Sequence, residues 1–226
     1  MRIGETEGVR LPVMTCQDGF ITSHAVENIL LETDEDVKAF VGVYNPDNYL
    51  LKKENHLAVG PYDVSPYYME HKVQQAEGMK AAKQAILDVA ADFEKTFGRK
   101  YGLIEEYKME DAEAAIVLIG STAGTAKACI DEMRAEGKKV GLVKIRAFRP
   151  FPAEEIAKAL SSVKAVACLD KSEGFNAHGG PIFAETAAAC YDLPSHPMMI
   201  DVVYGLGGRD CRTDNIRTVY DHIFDM

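Results

Sequence analysis

The sequence predicts an α/β protein, a mostly parallel sheet flanked by helices, preceded by a strand-helix element and one long helix. Three features point to it. Apolar runs at 114–119 (AAIVLI), 140–145 (VGLVKI), 164–169 (KAVACL) and 198–203 (MMIDVV) alternate with helical stretches at 122–136, 153–162, 181–191 and 213–224. Continuous Val/Ile/Leu runs separated by helices are strands covered on both faces and joined by right-handed crossovers. Between 67 and 97, Met69, Val73, Ala76, Met79, Ala82, Ile86, Val89, Phe93 and Phe97 recur at steps of three or four, the period of an amphipathic helix. Finally, GLVKIRAFRPFP at 141–152 ends an apolar run in two arginines and two prolines and passes into AEEIAKAL. A strand that stops in a proline-locked turn and feeds a helix with glutamates in its first turn is the repeating unit of such a sheet.

In chain order, LPVMT at 11–15 reads as a short buried strand, CQDGF as the turn after it, and TSHAVENIL at 22–30 as a helix. Thr22 or Ser23 would cap that helix, with Glu27 placed to close a capping box. One strand and one helix cannot bury both of their apolar faces, so this piece either adds to the main sheet or belongs to a domain completed by another chain. Pro46, Pro61 and Pro66 with Asn45, Asp47, Asn48 and Gly60 make 44–66 an extended connector. The expected division is therefore 1–43, a linker at 44–66, and 67–226. A helix of about 30 residues spans about 45 Å, longer than one small sheet covers, so its stripe packs either on its own domain or partly on another subunit. Gly98 is placed for a left-handed cap. Thr213 is placed to cap the last helix, whose stripe is Ile216, Val219, Tyr220, Ile223 and Phe224.

With 226 residues, 47% of them hydrophobic, the chain buries a good core in one or two domains. No apolar run approaches the roughly 20 residues of a membrane helix, and MRIGETEGVR lacks the apolar core of a secretory signal. A cytoplasmic protein with no membrane partner is expected. The net charge of −10 argues against nucleic acid, which needs a basic face. Cys16, Cys129, Cys168, Cys190 and Cys211 show no CxxC spacing, and His24, His56, His71, His196 and His222 no ligand spacing. Neither a metal nor a cluster is expected on this chain, and Cys129, Cys168 and Cys190, in apolar segments, read as reduced core residues.

Candidate chemistry collects on loops after strands, the rim where parallel sheets meet ligands and partner domains. Gly120 to Thr125 (GSTAGT) opens a helix, and its free amides either hold an anion or serve only as a turn. Arg146 and Arg149, the loop from Asp170 through Asn176 and His178 to Gly180, and Gly205 to Arg209 and Asp210 all fall on one sheet edge. That edge is either a contact surface for something polar or a rim whose arginines pair with Asp170 and Asp210. His178 stands in a glycine-rich polar loop, a place for proton transfer or for simple contact. Asp18, Gly19 and Phe20 with Ser23 and His24 form a second cluster, in which Gly19 would permit a sharp turn that brings Asp18 and a helix amino terminus toward one point.

These segments resemble a known family. RIGETEGVRLPVMTCQDGFITSHAVE, FGRKYGLIEEYKMEDAEAAIVLIGS, GKKVGLVKIRAFRPFP, CLDKSEGFNAHGG and VVYGLGGRD, in this order, are similar to the carboxyl-terminal half of pyruvate:ferredoxin oxidoreductase (pyruvate synthase) alpha subunits. The LPVM, DGF and SH lettering favours the pyruvate branch over the 2-oxoglutarate branch. The resemblance implies that residues 11–30 close a thiamine diphosphate-binding domain and that about 110–226 form a domain like the carboxyl-terminal domain of transketolases. It implies a complex with thiamine diphosphate, Mg, iron–sulfur clusters and coenzyme A, whose thiamine-binding and iron–sulfur polypeptides are partners in an oligomer. Ferredoxin is served only indirectly, since the acidic surface repels an acidic carrier. The family's cofactor-activating residues lie upstream of Met1, so the isolated chain is expected to be inactive, with no catalytic residue of its own. A naturally short subunit and a shortened form of a longer one fit equally. The competing expectations are a stand-alone α/β binding module for a phosphorylated ligand such as coenzyme A and, last, a hydrolase or transferase using His178.

Overall fold

The computed structural model describes residues 1–175 and 177–226. They form two compact units, Met1–Thr15 with Glu27–Lys100 and Cys16–Val26 with Tyr101–Met226. The long helix thus belongs with the amino-terminal residues and Cys16–Val26 with the sheet, a division different from the one composition suggests.

The first unit is helical, and its helices are α1 (Arg2–Glu5), α3 (Asp34–Val41) and α4 (Ser65–Phe97); α2 (Ile21–His24) lies in the other unit. Helix α4 runs for 33 residues with Pro66 in its first turn, about 50 Å. It ends where predicted, at Gly98 with φ 70° and ψ 8°. Its packing is sparse. Ala82 and Ala85 meet Val9 and Leu11, and at Gly78 a side chain would sit 2.8 Å from the Val9 carbonyl oxygen. At the far end Phe93 and Phe97 pack edge-on against Phe40 of α3 with centroids 5.5 and 5.4 Å away, and Thr33 caps α3 by accepting the Asp36 amide. The remaining apolar surface is uncovered: Leu30 is 79% exposed, Leu31 77% and Met69 72%. Two expected elements fail for the same reason. LPVMT at 11–15 carries no strand, and the helix expected at 22–30 shrinks to α2, since a strand needs a pairing neighbour and a short helix needs a packed face to offset its nucleation cost.

The second unit holds the sheet. In chain order it adds β1 (Ile104–Tyr107), β2 (Ala114–Ile119), α5 (Thr122–Ala135), β3 (Val140–Ile145), α6 (Ala153–Leu160), β4 (Ala165–Asp170), α7 (Pro181–Cys190), β5 (Met198–Val203) and α8 (Thr213–Phe224). The strands lie in the order β1-β3-β2-β4-β5. β2 to β5 pair in parallel, Ile116 opposite both Leu142 and Ala167, and β1 is an antiparallel edge strand on β3. β1 escaped prediction because IEEY has only two apolar residues. Alternate residues serve opposite faces. Ile116, Leu118 and Leu142 pack under α5 and α8 with Ile130, Met133, Ile216 and Tyr220; Val117, Val143, Val166 and Cys168 pack under α6 and α7 with Ile156, Leu160 and Ile182. Cys129, Cys168 and Cys190 are buried, free thiols. α8 begins at Thr213, so Arg212 and not Thr213 holds the cap position, where the Arg212 amide donates to Asn215 Oδ1 at 2.9 Å.

From β2 the chain passes to β3 on one side, then returns to β4 on the other, so the order reverses between β2 and β4. Outside the carboxyl ends of those two strands lies the topological switch point, the crevice in which open α/β sheets bind ligands. Asp170 ends β4 beside it. Fully buried at the end of β4, its carboxylate accepts the Ile182 and Phe183 amides at 2.9 and 3.0 Å, satisfying the first turn of α7. Gly180 has to lack a side chain, since a Cβ there would lie 2.4 Å from Asp170 Cγ. Asp201 on β5 takes the Gly180 amide at 2.9 Å with one oxygen and buries the other beside Asp170. Burial lifts the Asp201 carboxyl above its ordinary value, opposed by the Gly180 amide and reinforced by the negative charge of Asp170.

This packing sets two expectations for stability. Because the Asp201 value is raised, its ionisation costs stability as pH climbs from the ordinary carboxyl range through the folded value, and costs nothing below both. Asp201→Asn keeps the acceptor for Gly180 and offers Asp170 a permanent donor, so calorimetry will show a higher Tm than the parent at pH 7 and no gain at the acidic end; a lower Tm at pH 7 contradicts the pairing. Tyr220 is fully buried and donates its hydroxyl to the Gly141 carbonyl at 2.7 Å. Tyr220→Phe will lower the urea unfolding free energy of the sheet unit by about 1 kcal/mol, and an unchanged midpoint counts against that bond.

Candidate functional site

The crevice at the switch point is a cavity of about 560 Å³. One wall is the head of α5, where Thr122 Oγ1 accepts the Tyr204 hydroxyl at 3.0 Å. Lys171, the residue after β4, stands on the opposite side, and the turn after β5 closes the mouth with Arg209, Asp210 and Arg212. Gly205 and Gly207 hold that turn at φ 65° and 66°, left-handed conformations that glycine adopts without penalty. Cations therefore outnumber anions on the lining, and the amino terminus of α5 adds its partial positive charge.

The last wall comes from Cys16–Val26. Asp18 reaches into the crevice and accepts the Ser121 amide at 2.5 Å, so a carboxylate from 103 residues upstream caps the head of α5. Gly120 makes room for it: φ is +86°, and a Cβ would lie 2.9 Å from both Asp18 oxygens. Burial opposes ionisation of Asp18, but the hydrogen bonds from Ser121 and the charges of Lys171 and Lys144 prevail, holding the carboxyl below its ordinary value. The chain then turns sharply, though not at Gly19 as expected. Phe20 takes φ 65° and ψ −52°, and the Ile21 amide donates to the Gly19 carbonyl at 2.9 Å. This is the positive-φ form of the γ-turn, which is rare and strained. Ser23 braces it by accepting the Phe20 amide at 2.9 Å, and its hydroxyl also lies 2.7 Å from His24 Nδ1. The His24 ring in turn stacks on Phe20 at 5.1 Å between centroids.

The structure thus brings Gly19 and Phe20 together with Arg209 and Asp210 on one cavity, with Asp18 attached through the lining residue Ser121 and Ser23 and His24 through Phe20. Asp170 lies behind that cavity as a helix cap. The arginines of the 146–149 turn are elsewhere and have other partners than expected: Arg146 pairs with Glu105 at 2.5 Å and covers the Tyr101 ring, and Arg149 pairs with Glu185 at 2.5 Å and covers Phe148. Asp170 and Asp210 do not serve them; Asp210 lies 4.0 Å from Arg212. His178 is exposed and does not line the crevice, and Asn176 lies outside the described residues. Sequence reading missed Tyr204 and Arg212 as members of the site, although each immediately follows a strand or a strand-end turn, whereas Lys171 belongs to the rim loop it singles out. It had noticed the GSTAGT turn, but not that the group at its head is the chain's own Asp18. Among the described residues no group of three His, Cys, Asp or Glu side chains is placed to hold a metal ion. What the arrangement does is hold a charged, strained turn in a fixed place.

The chain matches two family models. Residues 2–91 match "Pyruvate flavodoxin/ferredoxin oxidoreductase, thiamine diP-bdg", and residues 112–216 match "Pyruvate:ferredoxin oxidoreductase core domain II". Among similar proteins, pyruvate synthase subunit PorA of Thermotoga maritima is 46% identical over 98% of this chain and 56% of its own length. The PorA subunit of Methanocaldococcus jannaschii is 40% identical over 98% of this chain and 57% of its own. The chain therefore spans a little over half the length of the relatives it matches. In fold it is similar to the 2-oxoglutarate:ferredoxin oxidoreductase of Magnetococcus marinus, solved with 2-oxoglutarate, coenzyme A and succinyl-CoA bound. That likeness has a TM-score of 0.52 at 16% identity and covers 84% of this chain and 30% of that one. With one family's models matching both halves and PorA sequences matching nearly end to end, the chain belongs to the pyruvate:ferredoxin oxidoreductase family.

Proposed function

We propose that the chain is part of a thiamine-dependent pyruvate:ferredoxin oxidoreductase, in which it supplies assembly surfaces and shapes one side of the active site. The whole enzyme would convert pyruvate and coenzyme A to acetyl-CoA and carbon dioxide, passing two electrons through iron–sulfur clusters to ferredoxin. The observation that carries the assembly role is the uncovered apolar surface of the helical unit. Ile29, Leu30, Leu31, Met69 and Val73 are all exposed, and exposed large apolar side chains gathered in one unit mark interaction surfaces. A polypeptide that completes the thiamine-binding domain is the occupant this reading requires. The division at 1–43 and 44–66 is retained only as the proposed end of that domain and its connector.

A diphosphate is ordinarily held through a divalent cation; among the described residues no group of three His, Cys, Asp or Glu side chains is placed to hold one, and the cofactor is assigned in this proposal to other segments. No step is therefore routed through the cofactor here, and Asp18, Gly19, Phe20, Ser23 and His24 are assigned to the rim of a site completed by other segments. Mg, the clusters and coenzyme A belong to the proposed whole. A cytoplasmic setting is part of this proposal; among the described residues no helix is long and apolar enough to cross a membrane. The stand-alone module for a phosphorylated ligand draws less support: the anion position at the head of α5 is taken by Asp18, and the arginines proposed to bind phosphate are paired with Glu105 and Glu185.

Reconstitution tests the reading. Pyruvate-dependent reduction of ferredoxin should require this chain together with thiamine-binding and cluster-bearing polypeptides of the same family, and the purified chain given pyruvate, thiamine diphosphate and an acceptor should do nothing. Turnover by the chain alone overturns it. The double substitution Leu30→Glu and Leu31→Glu should cut co-purification with those polypeptides by at least about tenfold, the effect of burying charge in an interface, while leaving the circular dichroism melt of the free chain indistinguishable from the parent's; undiminished capture refutes the assembly surface.

A further inference from the structure

The contact between Asp18 and the head of α5 joins parts that the two family models divide. Asp18 lies within the residues matched to the thiamine-binding model and Ser121 within those matched to core domain II. It also occupies the spot at which an open α/β sheet ordinarily receives an anionic ligand, outside the carboxyl ends of β2 and β4 at a helix amino terminus. Both sides are shaped for it. Gly120 lacks the methyl group that would strike the two carboxyl oxygens at 2.9 Å, and Lys144 of β3, Lys171 after β4 and Tyr204 after β5 surround the carboxylate.

Two residues beyond Asp18 stands the strained Phe20 turn. A positive-φ conformation of a bulky side chain costs free energy and persists only where its surroundings impose it. Phe20 is 76% exposed, so burial of its ring does not impose it. The imposing contacts are polar: the Asp18 anchor on one side, the Ser23 hydroxyl on the Phe20 amide on the other. The result is a Phe20–Ser23–His24 group held rigidly and presented outward.

We propose that Asp18 is a positioning residue: by gripping the Ser121 amide it uses the head of α5 as a fixed post from which Phe20, Ser23 and His24 are aimed into the active site of the assembled oxidoreductase. The role rests on the functional reading above. It assigns Asp18 no contact with substrate. It makes the transketolase-like sheet a template for the catalytic rim, with the ligand crevice of the fold converted into an anchorage.

The test has a spectroscopic arm on the full chain and a kinetic arm on the assembled enzyme, with Asp18→Ala and Asp18→Asn in both. In the parent, the Ser121 amide proton resonance should move as Asp18 is protonated, with a midpoint below the ordinary value of 3.8. A carboxyl held below its ordinary value keeps its contact at all higher pH and loses it as pH falls through the folded value. Asp18→Ala should abolish that titration and remove the ring-current shift that Phe20 imposes on His24. In the assembly it should lower kcat for pyruvate by at least about tenfold, the scale of a misplaced active-site group, with KM changed less. Asp18→Asn should restore most of the kcat and the His24 shift, because asparagine caps a helix about as well as aspartate. A His24 shift unchanged in Asp18→Ala overturns the anchor. An Asp18→Ala assembly as fast as a working parent overturns the positioning role alone, whereas a parent assembly that fails to turn over pyruvate overturns the functional reading and the catalytic consequence of Asp18 with it.

Discussion

Four parallel strands that all end at one edge determine where the chemistry of this chain can sit. β2, β3, β4 and β5 run the same way, so the loops after them, with Ser121, Arg146, Lys171 and Tyr204, are gathered at one rim. The reversal of order between β2 and β4 then opens a crevice at that rim without any residue chosen to make it. In this chain one end of the crevice, the head of α5, is occupied from within. The Asp18 carboxylate meets the helix head, two lysines hold its charge, and Gly120 clears the space.

Within the sheet unit the apolar requirements are met: two layers of Val, Ile, Leu and Ala cover both faces, and the polar groups at the strand ends are capped by Asp170 and Asp18. The helical unit is different. A 33-residue helix is held by a few alanines and a phenylalanine cluster at one end, and its other end carries exposed Tyr67, Tyr68 and Met69. Marginal burial of this kind contributes little stability by itself, and under the proposed assembly role this apolar surface is where a further polypeptide would bind. In the proposed assembly the sheet unit is the scaffold and the helical unit the interface.

Legibility in the sequence ran along the same line. β2 to β5 and α5 to α8 stood within a residue or two of their expected positions, because each apolar run is buried by its own neighbours in the chain. The long helix and its Gly98 stop were equally plain. LPVMT and TSHAVENIL misled, since neither finds a pairing strand or a packed face among the described residues, and periodicity is a guide only where the partner face is present. β1 was hidden by its two glutamates, of which Glu105 turns out to bind Lys127 and Arg146. The site was half visible. Loop position after a strand singled out Arg209 and Asp210, and the DGF lettering singled out Asp18, but pairing is a matter of space: no spacing rule joins Asp18 to Ser121, or separates Arg149 from the crevice and gives it to Glu185.

A complete sheet unit and an incomplete helical surface should meet their missing counterpart only in a larger enzyme. Hydrogen–deuterium exchange, read by mass spectrometry on the chain alone and then in the assembled oxidoreductase, measures this without intermediaries. Strong new protection is expected over residues 27–31 and 67–73 on assembly, with β2 to β5 equally protected in both states. Exchange over 27–31 and 67–73 that is the same with and without the other polypeptides would contradict the division into scaffold and interface.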